Sequence, residues 1–280
     1  MAAYYSIRDL EELSGVKAHT IRMWEKRYGV IHPGRTDTNI RFYGNDELRK
    51  LLNVSLLVRN GYRISAVSTM SEKELTGAVT GLAPTGDEAW ENLLLSLIEL
   101  DESRFRRTFT GLTQELGFEQ AVFQVIFPFF DRVGLMWQLG TINPAQEHFF
   151  SNLVRNRLIT WTEELPLPED GPEVLLFLPE HEWHELGLLF YAGALRRRGY
   201  RTTYLGQAVP IESLARVLAA RSPVMLVTGA TTGFPEFPSW AADICRFGIP
   251  VYFTGPVPGA YDLPDNGLKI SDLIALLKLK

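Results

Sequence analysis

A single cysteine, Cys245, is all that this 280-residue chain contains. That scarcity excludes an intrachain disulfide and any zinc site built on several thiolates. Its neighbours Ile244, Arg246 and Phe247 follow a helical pattern, so Cys245 reads as a small buried hydrophobe rather than a nucleophile. No uninterrupted apolar run reaches the roughly 18 residues of a spanning helix, and the N-terminus lacks the basic-then-apolar plan of a secretory signal. No membrane partner is therefore expected, and the expected location is the cytoplasm. A composition of 46% hydrophobic and 22% charged residues argues against wholesale disorder, and the length suits two or three compact units.

The net charge of −5 conceals an asymmetry. Residues 1–63 carry 11 Lys/Arg against 7 Asp/Glu, a net +4, and the remainder carries 17 against 26, a net −9. A basic head on an acidic body points to a polyanion at one end.

The head opens with Ile7, Leu10 and Leu13 on one helical stripe ending at Ser14-Gly15. A second helix from about Lys17 to Tyr28 turns Ile21 and Trp24 inward and Lys17, Thr20, Arg22, Lys26 and Arg27 outward. Two short helices around a Gly-containing turn form a helix-turn-helix, whose second member can enter a major groove. The polar stretch from Pro33 to Tyr43 reads as a β-wing, with further helices from Asn45 and after Gly61-Tyr62-Arg63-Ile64. The arginines fall on the two elements that a winged helix uses to touch DNA, so double-stranded operator DNA is the expected partner. Thr20 and Arg22 are candidates for base edges, and Lys17, Arg27, Arg35, Arg41 and Tyr43 for phosphates. His19, Trp24 and Tyr28 complete the candidate DNA-binding set.

Gly81, Pro84 and Gly86 mark a boundary, with residues 76–86 expected to be a linker after a winged domain of residues 1–75. Residues 87–168 are helical in pattern throughout, and four helices with short connections are the simplest arrangement. From residue 173 to 280 strands alternate with helices: Val174 to Leu178, Thr202 to Leu205, Val224 to Thr228 and Val251 to Thr254, with helices from about Glu185, Ile211 and Ser239. That alternation predicts a doubly wound parallel, Rossmann-like sheet, and the fold class is multidomain α and α/β.

Two clusters carry chemistry. Glu182-Trp183-His184-Glu185-Leu186-Gly187 follows the first strand, at the sheet edge where ligands bind in open α/β folds. Glu182 can accept a hydrogen bond from one ring nitrogen of His184 and leave the other to ligate a metal, while Gly187 lets a planar group approach. An isolated E-x-H-x-x-G is equally a surface loop histidine. Thr228-Gly229 and Thr254-Gly255 end their strands on the same edge, where small residues would line a groove for a long polar tail. In the helical segment Trp137, then Glu147-His148, could be a core aromatic and an exposed pair, or could meet a ligand face.

The run Ile21 to Gly29, Pro33-x-Arg35 and Arg41-Phe42-Tyr43 closely resembles the MerR family of transcriptional regulators over about the first 70 residues. Its Trp24-Glu25 looks like the subgroup with a cobalamin-binding C-terminus. W-x9-E-H before E-x-H-x-x-G resembles the cobalamin module of methionine synthase and of CarH-like regulators. Together the resemblance covers nearly the whole chain. It implies that His184 is the lower axial ligand of cobalt, that Glu182 and Gly187 support it, and that the cofactor's tail lies near Thr228, Gly229, Thr254 and Gly255. It also implies that Trp137, Glu147 and His148 cap the upper face. In light-responding members it implies adenosylcobalamin-driven homo-oligomerisation, as dimer or tetramer, and operator binding in the dark, with release after photolysis. Two positions depart from that pattern. Gln138 stands where light-responding members have a cobalt-capturing histidine, and Gly255-Pro256 replaces a glycine pair, removing an N–H. A non-enzymatic regulator governed by cobalamin is the expected function. The alternatives are a regulator of the same fold that has lost cobalamin and answers another ligand or a protein partner, and a corrinoid methyl carrier, which a DNA-committed head disfavours.

Overall fold

The computed structural model describes residues 4–36, 38–80, 88–138 and 142–279, and it divides into two compact units, Met1–Leu153 and Val154–Lys280.

The first unit begins with α1 (Ile7–Ser14), started by a reciprocal cap in which the Asp9 N–H donates to Ser6 Oγ and the Ser6 N–H to the Asp9 carboxylate. Gly15 ends it at φ +67°, a conformation that suits glycine and makes the tight turn into α2 (Ala18–Tyr28). Strands β1 (Gly34–Arg35) and β2 (Arg41–Phe42) pair antiparallel as the wing. Then come α3 (Asn45–Arg59), α4 (Ile64–Val67) and α5 (Glu72–Thr80). The last of these corrects the expected linker: Leu75 and Val79, four residues apart and both buried, give α5 an inward stripe that carries the helix to Thr80. The rest of that expected linker lies outside the described residues.

Four successive helical stretches follow as expected: α6 (Ala89–Glu99), α7 (Glu102–Leu116), α8 (Phe118–Ala121) running on into α9 (Phe127–Gln138), and α10 (Pro144–Glu164). A π-helical turn, Val122–Ile126, joins α8 to α9 and ends two residues before Pro128, whose ring and missing N–H would disrupt a regular ladder. Phe150 packs against Phe105 and Phe129, ring centres 5.2 and 4.8 Å away, in the bundle core.

The helix-turn-helix and α6 belong to one unit, and their polar contacts show how. The Trp90 indole N–H donates to the Leu13 carbonyl at 3.3 Å, Arg59 pairs with Glu91 at 2.6 Å and donates to the Ser14 carbonyl at 2.7 Å, and Asn60 donates to Glu88. Leu13 and Ser14 are the last residues of α1, so α6 is fastened beside the helix-turn-helix turn.

The second unit is a parallel five-stranded sheet of β3 (Glu173–Phe177), β4 (Arg201–Gly206), β5 (Met225–Gly229), β6 (Val251–Thr254) and β7 (Gly267–Lys269), in the order β4-β3-β5-β6-β7. Helices α11 (Leu186–Arg197), α12 (Ile211–Ala220), α13 (Phe237–Cys245) and α14 (Ile270–Leu277) complete it. All of β3 is buried, which explains its unbroken apolar run. Cys245 is buried as expected, and burial raises its thiol pKa. The second half of α10 packs here too, which moves residues 154–164 out of the expected helical domain. A Cβ on Gly193 of α11 would lie 2.3 Å from the Trp161 ring, so only glycine permits that approach. β7 escapes the sequence pattern because it has only three residues at the sheet edge.

Candidate functional site

The strand order reverses direction at β3, whose neighbours β4 and β5 lie on either side, and the carboxyl ends of the strands at such a reversal are where open α/β sheets bind ligands. The loop after β3 places His184 at this point, with its side chain 59% exposed. Glu182, by contrast, is 2% exposed, and both of its oxygens are occupied. Oε1 accepts from His184 Nδ1 at 2.6 Å and from the N–H groups of Trp183 and His184 at 2.9 Å each. Oε2 accepts from the N–H groups of Thr231 and Thr232, at 2.6 and 3.1 Å, in the loop after β5. Burial by itself would raise the Glu182 pKa, but the His184 ring and the backbone donors outweigh it and hold the carboxyl at about 2. The charged carboxylate thus fixes the His184 ring with Nδ1 as donor, the arrangement in which a carboxylate orients a metal-ligating imidazole through its other nitrogen.

Among the described residues no group of three or more His, Cys, Asp or Glu could hold a bare metal ion. A lone oriented imidazole suits a metal that arrives with its other ligands already in place. Gly187 stands one turn on, where an added Cβ would meet nothing closer than Tyr191 at 3.9 Å. The protein's own packing therefore does not require glycine there. Thr228 is fully buried at the end of β5, and its hydroxyl has no hydrogen-bond partner among the described residues, which leaves a polar atom for a ligand to satisfy.

Gly229 and Gly255 serve the chain itself before any ligand. A Cβ on Gly229 would lie 2.4 Å from Thr254 Oγ1, and one on Gly255 2.5 Å from the Ala230 carbonyl oxygen, with Gly255 at φ +86°. Their smallness reflects the close passage of β5 and β6 beyond the open groove expected from sequence. Thr254 is buried beside them, and Pro256 begins a 3-10 turn, Val257–Ala260.

Glu147 and His148 lie in the first unit, on the first turn of α10, which Asn143 caps by accepting from the Gln146 N–H at 3.0 Å. Glu147 accepts from Ser151 and sits 2.8 Å from His148 Nδ1, leaving an oriented imidazole 72% exposed. Trp137 and Gln138 fall in the last turn of α9, and their side chains lie outside what is described.

In the head, Lys17, His19, Arg22, Arg27, Arg35 and Arg41 are exposed, with Thr20 and Tyr28 half-buried. Trp24 is buried, in keeping with its inward place on the helical stripe, and Tyr43 is buried too, so both side chains pack in the core of the head rather than on its surface. Tyr43 donates its hydroxyl to Glu25 at 3.1 Å, and burial together with that carboxylate pushes its pKa up to about 12. Glu25 also receives Arg41 Nε at 3.3 Å, so one carboxylate latches the wing to α2. Glu25 was legible only as a motif letter; its partners are 16 and 18 residues away.

Comparison with known proteins agrees with both regions. Residues 5–74 match the MerR HTH regulatory protein family, and residues 89–160 match the B12 binding domain. The HTH-type transcriptional repressor CarH of Myxococcus xanthus is 33% identical over 265 residues, covering 90% of this chain and 88% of the relative. The repressor CarA of the same organism is 27% identical, covering 87% of this chain and 83% of the relative. A Methanosarcina barkeri monomethylamine corrinoid protein superposes with a TM-score of 0.54 at 14% identity, over 70% of this chain and all of that one, which is a likeness of fold. A relative this similar over nearly its full length, together with the two domain matches, places the chain in the CarH family of transcriptional regulators, with a MerR-type DNA-binding head and a B12-binding body.

Proposed function

We propose that this protein binds operator DNA as a homo-oligomer, a dimer or tetramer, under the control of bound cobalamin, adenosylcobalamin in particular. The observation that carries the reading is the buried, fully bonded Glu182 that holds the His184 ring at the switch point of the sheet. His184 would ligate cobalt, Gly187 would leave room for the corrin, and Thr228 would bond the tail beside Gly229, Thr254 and Gly255. Trp137, Glu147 and His148 would also meet the cofactor. The cofactor supplies a cobalt–carbon bond that light can break. The chain's own residues supply orientation and exclusion of water, and none is asked to catalyse a reaction.

At the head, Thr20 and Arg22 would approach base edges, while Lys17, His19, Arg27, Tyr28, Arg35 and Arg41 would meet phosphates. The protein would act in the cytoplasm; among the described residues, no helix is long and apolar enough to cross a membrane. Purified protein incubated with adenosylcobalamin in the dark should retain it through gel filtration and shift an operator fragment. His184→Ala should abolish retention; equal retention by that variant would sink the reading.

A second reading, in which the fold is kept and cobalamin is not, draws support from Pro256, which lacks an N–H, and from Gln138, a neutral amide. It predicts equal operator binding with and without cobalamin.

A further inference from the structure

The residue after His184 is a second buried carboxylate that the reading above does not use. Glu185 is 7% exposed, and both of its oxygens are engaged: Arg155 Nε donates to one at 2.5 Å and the Tyr204 hydroxyl to the other. Its backbone closes the turn around His184. The Glu185 N–H donates to the Trp183 carbonyl at 3.0 Å, and its carbonyl accepts the Leu189 N–H at 2.9 Å as α11 begins. The Gln207 amide donates to the same Trp183 carbonyl at 2.7 Å.

His184 therefore stands between two anchored carboxylates, Glu182 holding its ring and Glu185 holding the chain that carries it. Starting α11 does not call for a buried ion pair reaching to a helix 30 residues upstream. Burying a carboxylate is costly unless its partners are well placed, so this cluster fixes one geometry. We propose that Glu185, held by Arg155 and Tyr204, is a positioning residue that sets the His184 imidazole for metal ligation and ties the ligand loop to α10. The proposal rests on the reading that His184 meets cobalamin.

The test compares Glu185→Gln, Tyr204→Phe, Arg155→Ala and Arg155→Lys in the full chain, with His184→Ala as reference. Adenosylcobalamin affinity, the absorbance that separates imidazole-ligated from imidazole-free cobalamin, and the His184 ring resonance of the cofactor-free protein are measured. Glu185→Gln and Arg155→Ala should bind roughly ten-fold more weakly, with a larger imidazole-free fraction and a displaced ring resonance. Arg155→Lys should recover part of the loss, which a role limited to helix packing would not tie to the ring signal. Unchanged affinity, spectrum and resonance in folded Glu185→Gln and Tyr204→Phe overturn the proposal. If Glu185→Gln does not fold, Tyr204→Phe, which removes one hydroxyl, decides it. If the unaltered protein binds no cobalamin, the functional reading fails, and the ring resonance still decides whether Glu185 positions His184.

Discussion

Two buried glutamates, one in each unit, meet their surroundings in opposite ways. Glu182 in the α/β unit accepts five hydrogen bonds shared between its two oxygens, four of them from backbone N–H groups. Glu91 on α6 meets Arg59 through Oε1, while its Oε2 is buried with no partner among the described residues, and the neighbouring Glu88 has the same imbalance. Backbone donors cannot move without moving the fold, so the His184 loop is preorganised. An under-bonded carboxylate facing one half-exposed arginine has little to lose by rearranging. The difference teaches how the two places are held: the candidate ligand site by backbone donors, the contact of α6 with the helix-turn-helix by side-chain donors.

The largest effect should come from Glu182→Ala, which strands four backbone donors. A loss of about 3 kcal/mol in chemical denaturation is expected, together with weaker cobalamin retention. A loss as small as that of a surface substitution would erase the contrast. Acid should act in the same place. The Glu182 pKa is depressed from 4.5 to about 2, so its contribution is complete above pH 4.5 and is lost as the pH falls toward 2. Glu99 in the first unit is raised, chiefly by burial, so its penalty is relieved as the pH falls through its folded pKa. Thermal melts of the two units should therefore diverge as the pH falls below 4.5, and parallel curves would count against the comparison.

Arg59→Ala comes next. Its side chain is 39% exposed, which screens the pair, so a stability loss of about 1 kcal/mol is expected, with a change in operator affinity read by fluorescence anisotropy. Unaltered DNA affinity would show that the α6 contact does not reach the head's function. The smallest change belongs to Arg41→Ala, a wing residue. Stability should move by less than about 0.5 kcal/mol, while the logarithmic salt dependence of DNA binding flattens by roughly one charge. An unchanged slope would remove the wing from the interface.

Much of this was legible along the chain. Helical stripes, the turn at Gly15 and the apolar run of β3 are local signals, and the Glu182 to His184 spacing announced a bond that the fold makes. What the sequence could not display are partners brought together by topology. Thr231 and Thr232 lie 49 and 50 residues from Glu182, and Trp90 lies 77 from Leu13. Nothing local marks a backbone N–H as an acceptor's partner. Trp24 and Tyr43 are buried for a related reason: a family's motif letters include residues that build the fold as well as residues on its surface.

Helix α10 has a consequence for taking the protein apart. Its residues up to Leu153 fold with the first unit and those from Val154 with the second, where Trp161 fills the face that Gly193 leaves bare. A cut in the loop before β3, the natural choice on a map of strands and helices, would strip α11 of that cover and expose its apolar side. The seam of this protein runs through the middle of a helix, and a fragment meant to isolate the α/β unit would have to begin there.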